Sequence, residues 1–358
     1  MSKPEDFDPN AIGIKGTLFG LPFDTESAKV VVIPIPWDVT VSYGKGTAEG
    51  PQAIFEASTQ IDYELPDISE AWKLGVTMAE IPDVWYALGK SLRVKAEAYI
   101  KWLEEGSDSL VRLKMEANLA EINEECRQLM TYVQQETAYW QSKGKTTILL
   151  GGDHSTPLGH ILACAEKEGD IGILQIDAHA DLRKSYEGSS CNHACAVYEA
   201  SQNSNLIQVG IRSMDIKEKS VMDLDKTYFA HDMAIDDSWM DSAIDQMTDN
   251  VFITFDLDAF DPSILPSTGT PEPGGLLWYE TLDFLKQVFA DKNVVGFDIV
   301  ELCPNDVDKS SDFLAAKLYY KMLSYKFLND DKEDEYENTY DDKSLTNNFS
   351  KFNEDDDY

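Results

Sequence analysis

The chain has 358 residues, 43% of them hydrophobic and 11% aromatic, enough to fill the core of one large α/β domain. Its 30 basic and 65 acidic residues leave a formal net charge of -35, which argues against nucleic acid or anionic lipid as a partner, since both demand clustered Lys and Arg. No apolar run approaches the roughly 18 residues of a membrane span, the first residues lack the apolar core of a secretory signal, and five scattered cysteines suit a reducing cytoplasm better than a disulfide framework.

Residues 1–28 read as an irregular N-terminal arm, followed by a single domain over residues 29–328. "KVVVIPIPWD" is a buried-type strand that stops at Pro34 and Pro36. "SYGKGTAEGPQAIFEAS" is a Gly-rich turn with Pro51 placed to open a helix through Ala53 to Ala57. From about residue 85 to 143 the pattern is helical, with Leu110, Leu113, Leu119, Ile122, Leu129 and Val133 at mixed three and four spacing. Beyond it, "TTILLGGD", "IGILQIDAHAD", "NLIQVGIR", "VFITFDLDAFD" and "VVGFDIVEL" alternate with helical stretches. That alternation implies a parallel sheet in a doubly wound fold, and the near-continuous apolar runs imply helices over both faces. Residues 329–358 hold twelve Asp or Glu against three Lys with no period, and are expected to form a disordered acidic tail.

Three of the strand runs end in metal-ligand residues: Asp153 and His154 in "LLGGDHS"; Asp177, His179 and Asp181 in "DAHAD"; Asp256, Asp258 and Asp261 in "FDLDAFDP". Taken singly, an Asp-x-Asp after a strand is most often a turn or helix cap, and "GGDH" lacks the Lys-Ser/Thr of a phosphate loop. Taken together they are hard to explain as caps, because ligands of open α/β sheets gather beyond the carboxyl ends of strands and uncompensated buried carboxylates cost several kcal/mol each. Two imidazoles and four carboxylates without a thiolate suit Mn²⁺ or related divalent ions better than structural zinc. Six ligands exceed the set of one catalytic zinc and point to two ions, which generate hydroxide near neutral pH.

"GGDHS", "DAHADLR" and "FDLDAFDP" together resemble the ureohydrolase family: arginase, agmatinase, formimidoylglutamase and their relatives. The resemblance runs from about Val30 to Tyr325 and takes in "GTAEGPQAI" and "DIVELCP". It implies a three-layer α/β/α domain around a parallel, eight-stranded sheet, assembled as a homotrimer or homohexamer. It also implies two Mn²⁺ per chain (Ni²⁺ or Co²⁺ being alternatives) that hydrolyse a guanidinium group to urea and an amine. Carried over residue by residue, one ion is expected on His154, Asp177, Asp181 and Asp256, the other on His179, Asp177, Asp256 and Asp258. Asp181 would also orient the bridging hydroxide, Glu301 would hold the guanidinium, and His193 would pass a proton to the leaving amine, a role suited to imidazole. Asp153 is expected to orient the site, Asp261 to fix a loop, and His160 and His231 to be structural. Cys191 and Cys195 flank His193, but no second Cys/His pair completes a metal knuckle.

The small guanidino substrate is the open point. Arginases carry an Asn where this chain has Arg183, and "DLRKSYEGSSCNHA" looks closer to agmatinase-type relatives, so agmatine, cleaved to putrescine and urea, is the leading expectation. Guanidine, guanidino acids, arginine and formiminoglutamate are the alternatives. Arg183 beside a cationic substrate requires an acid partner, for which Glu187 is a candidate; the alternative is that Arg183 binds a substrate carboxylate, as in guanidino acids. Trp37, Thr40 and Tyr43 in "PWDVTVSYG" are candidate substrate contacts at the entrance. Two other readings compete: a single-zinc deacylase, which would not use His154 or both acids of "DLD", and a non-catalytic relative, which could shed the ligand residues this chain retains.

Overall fold

A computed structural model describes residues 6–328; the acidic segment expected to be disordered lies outside the described residues. Among the described residues, eight strands form one sheet: β1 (Val30–Ile35), β2 (Val76–Met78), β3 (Thr146–Gly151), β4 (Gly172–Ile176), β5 (Leu206–Ile211), β6 (Thr227–Phe229), β7 (Asn250–Asp256) and β8 (Asn293–Val300). Their order is β2-β1-β3-β8-β7-β4-β5-β6, and every pairing is parallel. The helices are α1 (Gly50–Ser58), α2 (Asp83–Glu104), α3 (Arg112–Ser142), α4 (Leu158–Glu168), α5 (Tyr198–Ser201), α6 (Ile216–Val221), α7 (Ala230–Met233), α8 (Ser238–Gln246), α9 (Trp278–Asp291) and α10 (Ser310–Leu328).

Side chains that alternate along a strand point to opposite faces, and here both faces are covered. Ile148, Leu150, Leu174 and Ile176 face one layer, where they join Ile54 of α1, Phe284 and Leu285 of α9, and Tyr319 and Leu323 of α10. Leu149 faces the other layer with Leu92 of α2 and Ile122, Leu129 and Val133 of α3. Ile173 packs there against Leu158, Ile161 and Cys164 of α4. This is the three-layer α/β/α arrangement with a parallel eight-stranded sheet that the motifs implied.

Several expectations are refined. β2 and β6 are edge strands of three residues each, too short to show a hydrophobic run. The helical stretch is two helices, broken where Gly106 and Ser107 both take positive φ. Leu110 and Leu113, read as part of its apolar stripe, are 90% and 84% exposed, Leu110 in the turn before the second helix and Leu113 in its first turn, off the packed face. The inward row of α3 is instead Met115, Ile122, Cys126, Leu129, Val133 and Thr137. The N-terminal arm is irregular but not loose, since Leu18, Phe19 and Leu21 are buried in the largest core cluster. No described helix is long and apolar enough to cross a membrane.

What the topology does for function is set at the centre of the sheet. β3 and β4 are consecutive in the chain but are separated by β8 and β7. A parallel sheet opens a crevice at such a reversal, beyond the carboxyl ends of its strands. The four central strands, β3, β8, β7 and β4, deliver their C-terminal residues into it.

Candidate metal centre

Each acid at a strand end divides its two oxygens between the backbone and the crevice. Asp177 Oδ1 accepts from the His179 N–H at 2.6 Å, Asp256 Oδ1 from the Asp258 N–H at 2.8 Å, and Asp258 Oδ1 from the Ala178 N–H at 3.1 Å. The first two are the local turns a lone Asp-x-Asp would form, and the third ties the end of β7 to that of β4. The Oδ2 atoms serve the crevice: those of Asp177, Asp181 and Asp256 lie 3.1, 3.2 and 3.3 Å from His154 Nδ1. Asp258 Oδ2 lies 2.9 Å from His179 Nδ1. Capping and ligation are thus not alternatives here, because one carboxylate does both.

His154 is held in one tautomer by its other nitrogen. Its Nε2 lies 2.8 Å from Thr254 Oγ1, and that hydroxyl donates to Asp298 Oδ1 at 3.0 Å. With its proton committed to Asp298, Thr254 can only accept from Nε2–H, so Nδ1 presents a bare lone pair. Among the described residues that buried Nδ1 has no hydrogen-bond partner. A bare nitrogen ringed by three carboxylate oxygens is a repulsive arrangement unless positive charge, a proton or a metal ion, lies between them. Two groups of side chains bring ligand atoms within reach of a common ion: His154 with Asp177 and Asp181, and Asp177 with His179 and Asp258. Asp177 belongs to both.

The electrostatics agree. Burial, then the charges of Asp258 and Asp177, push Asp256 well above the ordinary carboxylate range; burial and Asp177 also raise Asp181. Burial alone would lower both histidines, yet the surrounding carboxylates lift His154 well above its usual value and Asp258 lifts His179 to about 11. Without cations this cluster cannot keep all its acids ionised. Hard oxygen and imidazole donors with no thiolate fit divalent ions of the manganese type.

The centre opens into a cavity of about 290 Å³ lined by His179, Asp181, Asp256 and Asp258 together with His193 and Glu301. Glu301 follows β8, and its Oε1 accepts from the His154 N–H at 2.8 Å. Burial and the nearby Asp153 raise its pKa well above the usual value. Asp181 and Glu301 both adopt positive φ, 49° and 66°, a conformation costly for residues with a Cβ and typical of functional sites. Burial lowers His193 to about 4. Its N–H donates to Thr40 Oγ1 at 3.1 Å, its Nδ1 lies 3.4 Å from the same oxygen, and Thr40 donates to Asp153 Oδ2 at 3.3 Å. The paired glycines before Asp153 are explained by close approach: a Cβ on Gly152 would lie 2.0 Å from the Trp37 carbonyl oxygen.

The entrance residues divide. Tyr43 lines the cavity and is 79% exposed. Thr40 is buried behind the wall and reaches the site through His193 and Asp153. Trp37 is a correction: its ring is 1% exposed and packs against Trp85 and Gly89 of α2, so it cannot touch a substrate. Arg183 does line the cavity, but its expected partner Glu187 is not the one it finds. Its Nε lies 3.3 Å from Glu218 Oε2 and 3.5 Å from Asp215 Oδ2, and its guanidinium stacks 4.3 Å over the Tyr186 ring. Glu218, 35 residues away, sits in the capping box that opens α6.

The other assignments are structural in the geometry. His160 is fully buried beside Thr147 and edge-on to Phe252, whereas His231 is exposed on the surface. Asp261 accepts from Ser263, Gly274 and Gly275 and ties down the loop that follows β7. Cys195 Sγ points to the Ser189 carbonyl and Cys191 packs against the α2–α3 core. Sequence reasoning missed Thr254 and Asp298 behind His154. Their signal was present, as polar residues inside fully buried strands. It also missed Gln175 and Gln208, which extend the network from Asp177 across β4 and β5. Glu272, whose Oε1 lies 3.8 Å from His179 Nε2 on the cavity wall, gave no such signal.

The profile described as Arginase family matches residues 28–324. An N(1)-aminopropylagmatine ureohydrolase of Synechocystis is 34% identical over 311 residues, covering 83% of this chain and 89% of that protein. An agmatinase of Pyrococcus horikoshii is 28% identical, covering 84% and 93%. The solved agmatine ureohydrolase of Thermoplasma volcanium superposes with a TM-score of 0.67 at 25% identity, covering 94% of this chain and 98% of that one. With a matching profile over most of its length and relatives above 30% identity, the chain belongs to the arginase family, the ureohydrolase group that its motifs resemble.

Proposed function

We propose that this chain is a dinuclear metal-dependent ureohydrolase that cleaves agmatine-type guanidinium cations to urea and an amine, with N(1)-aminopropylagmatine preferred to agmatine itself. The observation that carries the chemistry is the orphaned Nδ1 of His154 among three carboxylate oxygens. His154, Asp177, Asp181 and Asp256 would hold one ion, and His179, Asp177, Asp256 and Asp258 the other. Mn²⁺ suits this donor set, with Ni²⁺ and Co²⁺ as alternatives. Bound there, the ion pair supplies Lewis acidity and a nucleophilic water near neutral pH.

The chain's own groups do the rest. Glu301 presents a carboxylate to the guanidinium, a pairing whose charge-assisted hydrogen bonds fix orientation as well as affinity. Asp181 is placed to orient the attacking water. His193, kept neutral by burial, relays a proton to the alkyl nitrogen as its bond to the guanidinium carbon breaks. Thr40 holds that imidazole in place.

Substrate choice follows from charge on the cavity wall. Arg183 is satisfied by Asp215 and Glu218, so it offers little to a substrate carboxylate, while Glu272 leaves a further acid exposed to the cavity. An acidic wall favours polyamine-like tails over arginine or guanidinobutyrate, and relatives at 34% identity carry the N(1)-aminopropylagmatine name. An extra ammonium making one charge-assisted hydrogen bond is worth ~1.5–3 kcal/mol, about tenfold or more in specificity. Urea release by the Mn²⁺-loaded protein should therefore have its highest kcat/KM with N(1)-aminopropylagmatine, agmatine following and arginine, guanidinobutyrate and guanidine far below. A best rate with arginine or a guanidino acid would contradict the substrate reading. Homotrimeric or homohexameric assembly and a cytoplasmic setting belong to the same proposal; the family resemblance supports the first and five free cysteines support the second.

A further inference from the structure

Arg93 projects from the middle of α2 into the back of the loop that forms the cavity entrance. Its side chain is only 13% exposed. Nη1 donates to the carbonyl oxygens of Asp38 at 3.3 Å and Val39 at 3.2 Å, and also to that of Val41. Three carbonyls from four consecutive residues thus converge on one guanidinium nitrogen, which means the loop is wound around the cation. The clamp continues along the helix. Arg93 Nε reaches Glu97 Oε1 at 3.3 Å, and the same oxygen accepts from Lys45 Nζ at 2.7 Å, at the far end of the loop. One turn earlier, Gly89 lets α2 lie close to the Trp37 ring, 3.1 Å from the position its own Cβ would take.

What this clamp encloses is part of the reaction site. Thr40 lies between the second and third carbonyls and is the residue that holds His193 and Asp153. Val41, Ser42, Tyr43 and Gly44 line the cavity directly. A buried loop of this kind needs its carbonyls satisfied, and Arg93 satisfies three of them from an element that touches neither metal ligands nor cavity. We propose that Arg93 is a positioning residue: by gathering the carbonyls of Asp38, Val39 and Val41 it fixes the loop on which Thr40 holds the His193 imidazole against the leaving group. α2 thereby becomes part of the machinery rather than a layer of packing. The proposal rests on the reading of His193 as the proton relay.

The test is a double-mutant cycle in the full, Mn²⁺-loaded chain with Arg93→Met, Thr40→Val and both together, measured on whichever guanidino substrate the wild type turns over best. A misplacement of about 1 Å costs on the order of 100-fold, so each single variant should lose about 10- to 100-fold in kcat with metal content unchanged. The double variant should be within about twofold of Thr40→Val, because residues acting through one contact are not additive. Arg93→Lys, which can reach at least one carbonyl, should recover part of the rate and serves if Arg93→Met fails to fold. Hydrogen exchange of residues 38–46 should accelerate in Arg93→Met but not in Thr40→Val. Losses that multiply in the double variant, or wild-type kcat in Arg93→Met, would overturn the proposal. A wild type releasing no urea from any guanidino compound would defeat the functional reading instead; unchanged exchange of 38–46 in Arg93→Met would then still overturn the clamp.

Discussion

Replacing Asp256 by asparagine is expected to lower Mn²⁺ affinity by well over the ~10–100-fold typical of residues that merely support a metal ligand, and to remove urea release with it. The substitution is conservative where the fold needs it, since an Asn Oδ1 can still accept from the Asp258 N–H as Asp256 Oδ1 does. What it removes is the negative charge of Oδ2, 3.3 Å from His154 Nδ1. The ion-free protein gives the second half of the prediction. Burial together with Asp258 and Asp177 holds Asp256 well above its ordinary pKa, so in the folded state its ionised form is disfavoured and subtracts stability above the unfolded carboxylate range. Removing that charge should leave the metal-free Tm equal to or above that of the wild type, while abolishing the rise in Tm that Mn²⁺ brings to the wild type. A variant that binds Mn²⁺ normally would show that Asp256 is only a cap, and a strongly destabilised metal-free form would show that its Oδ2 charge supports the fold.

Glu301→Gln should separate substrate binding from metal binding. The glutamine Oε1 can keep the 2.8 Å bond from the His154 N–H, and the backbone at positive φ is unchanged in kind. What it removes is a charge facing the cavity, next to Gly269, where a Cβ would crowd Oε2 at 3.0 Å. A charge-assisted bidentate contact to a guanidinium is worth several kcal/mol in a site shielded from water, and kcat/KM should fall about 100-fold or more. Metal content should remain that of the wild type. Loss of metal together with activity would show that Glu301 acts through His154 rather than on the substrate.

The metal cluster was legible in the sequence because its side chains sit at strand ends, where apolar runs give way abruptly to Asp and His. Period-two spacing in "DAHAD" marked Asp177, His179 and Asp181 as one cluster, but β4 ends at Ile176, and Asp181 at positive φ and His179 join different ligand groups that share Asp177. The convergence of the clusters was also legible in outline, since parallel strands deliver their carboxyl ends to one side of the sheet. Partners that depend on long-range contact were not. Nothing near Arg183 announces Glu218, because their pairing is created by the turn into α6. Glu187, the nearest acid outside the expected metal ligands, proved not to be the partner. Trp37 looked like an entrance residue from its place beside Pro36 and Asp38, but a large ring is best satisfied by a helix packed over it, and α2 supplies one. The break between α2 and α3 was not read, because the apolar residues after Gly106 and Ser107 continue a helical spacing and so passed for part of a buried face. Arg93 was invisible for the opposite reason: a single arginine in a charged amphipathic helix reads as surface until the loop it anchors is seen.

His154, Asp177, His179, Asp181, Asp256 and Asp258 are expected to hold two divalent ions. The direct measurement is a titration of the chelator-stripped protein with Mn²⁺, following bound metal per chain and urea release in the same samples. Two ions per chain, with urea release from N(1)-aminopropylagmatine or agmatine reaching its full rate only as the second is bound, is the predicted result. Saturation at one ion per chain, a preference for a single zinc, or full urea release from the metal-free chain would contradict it.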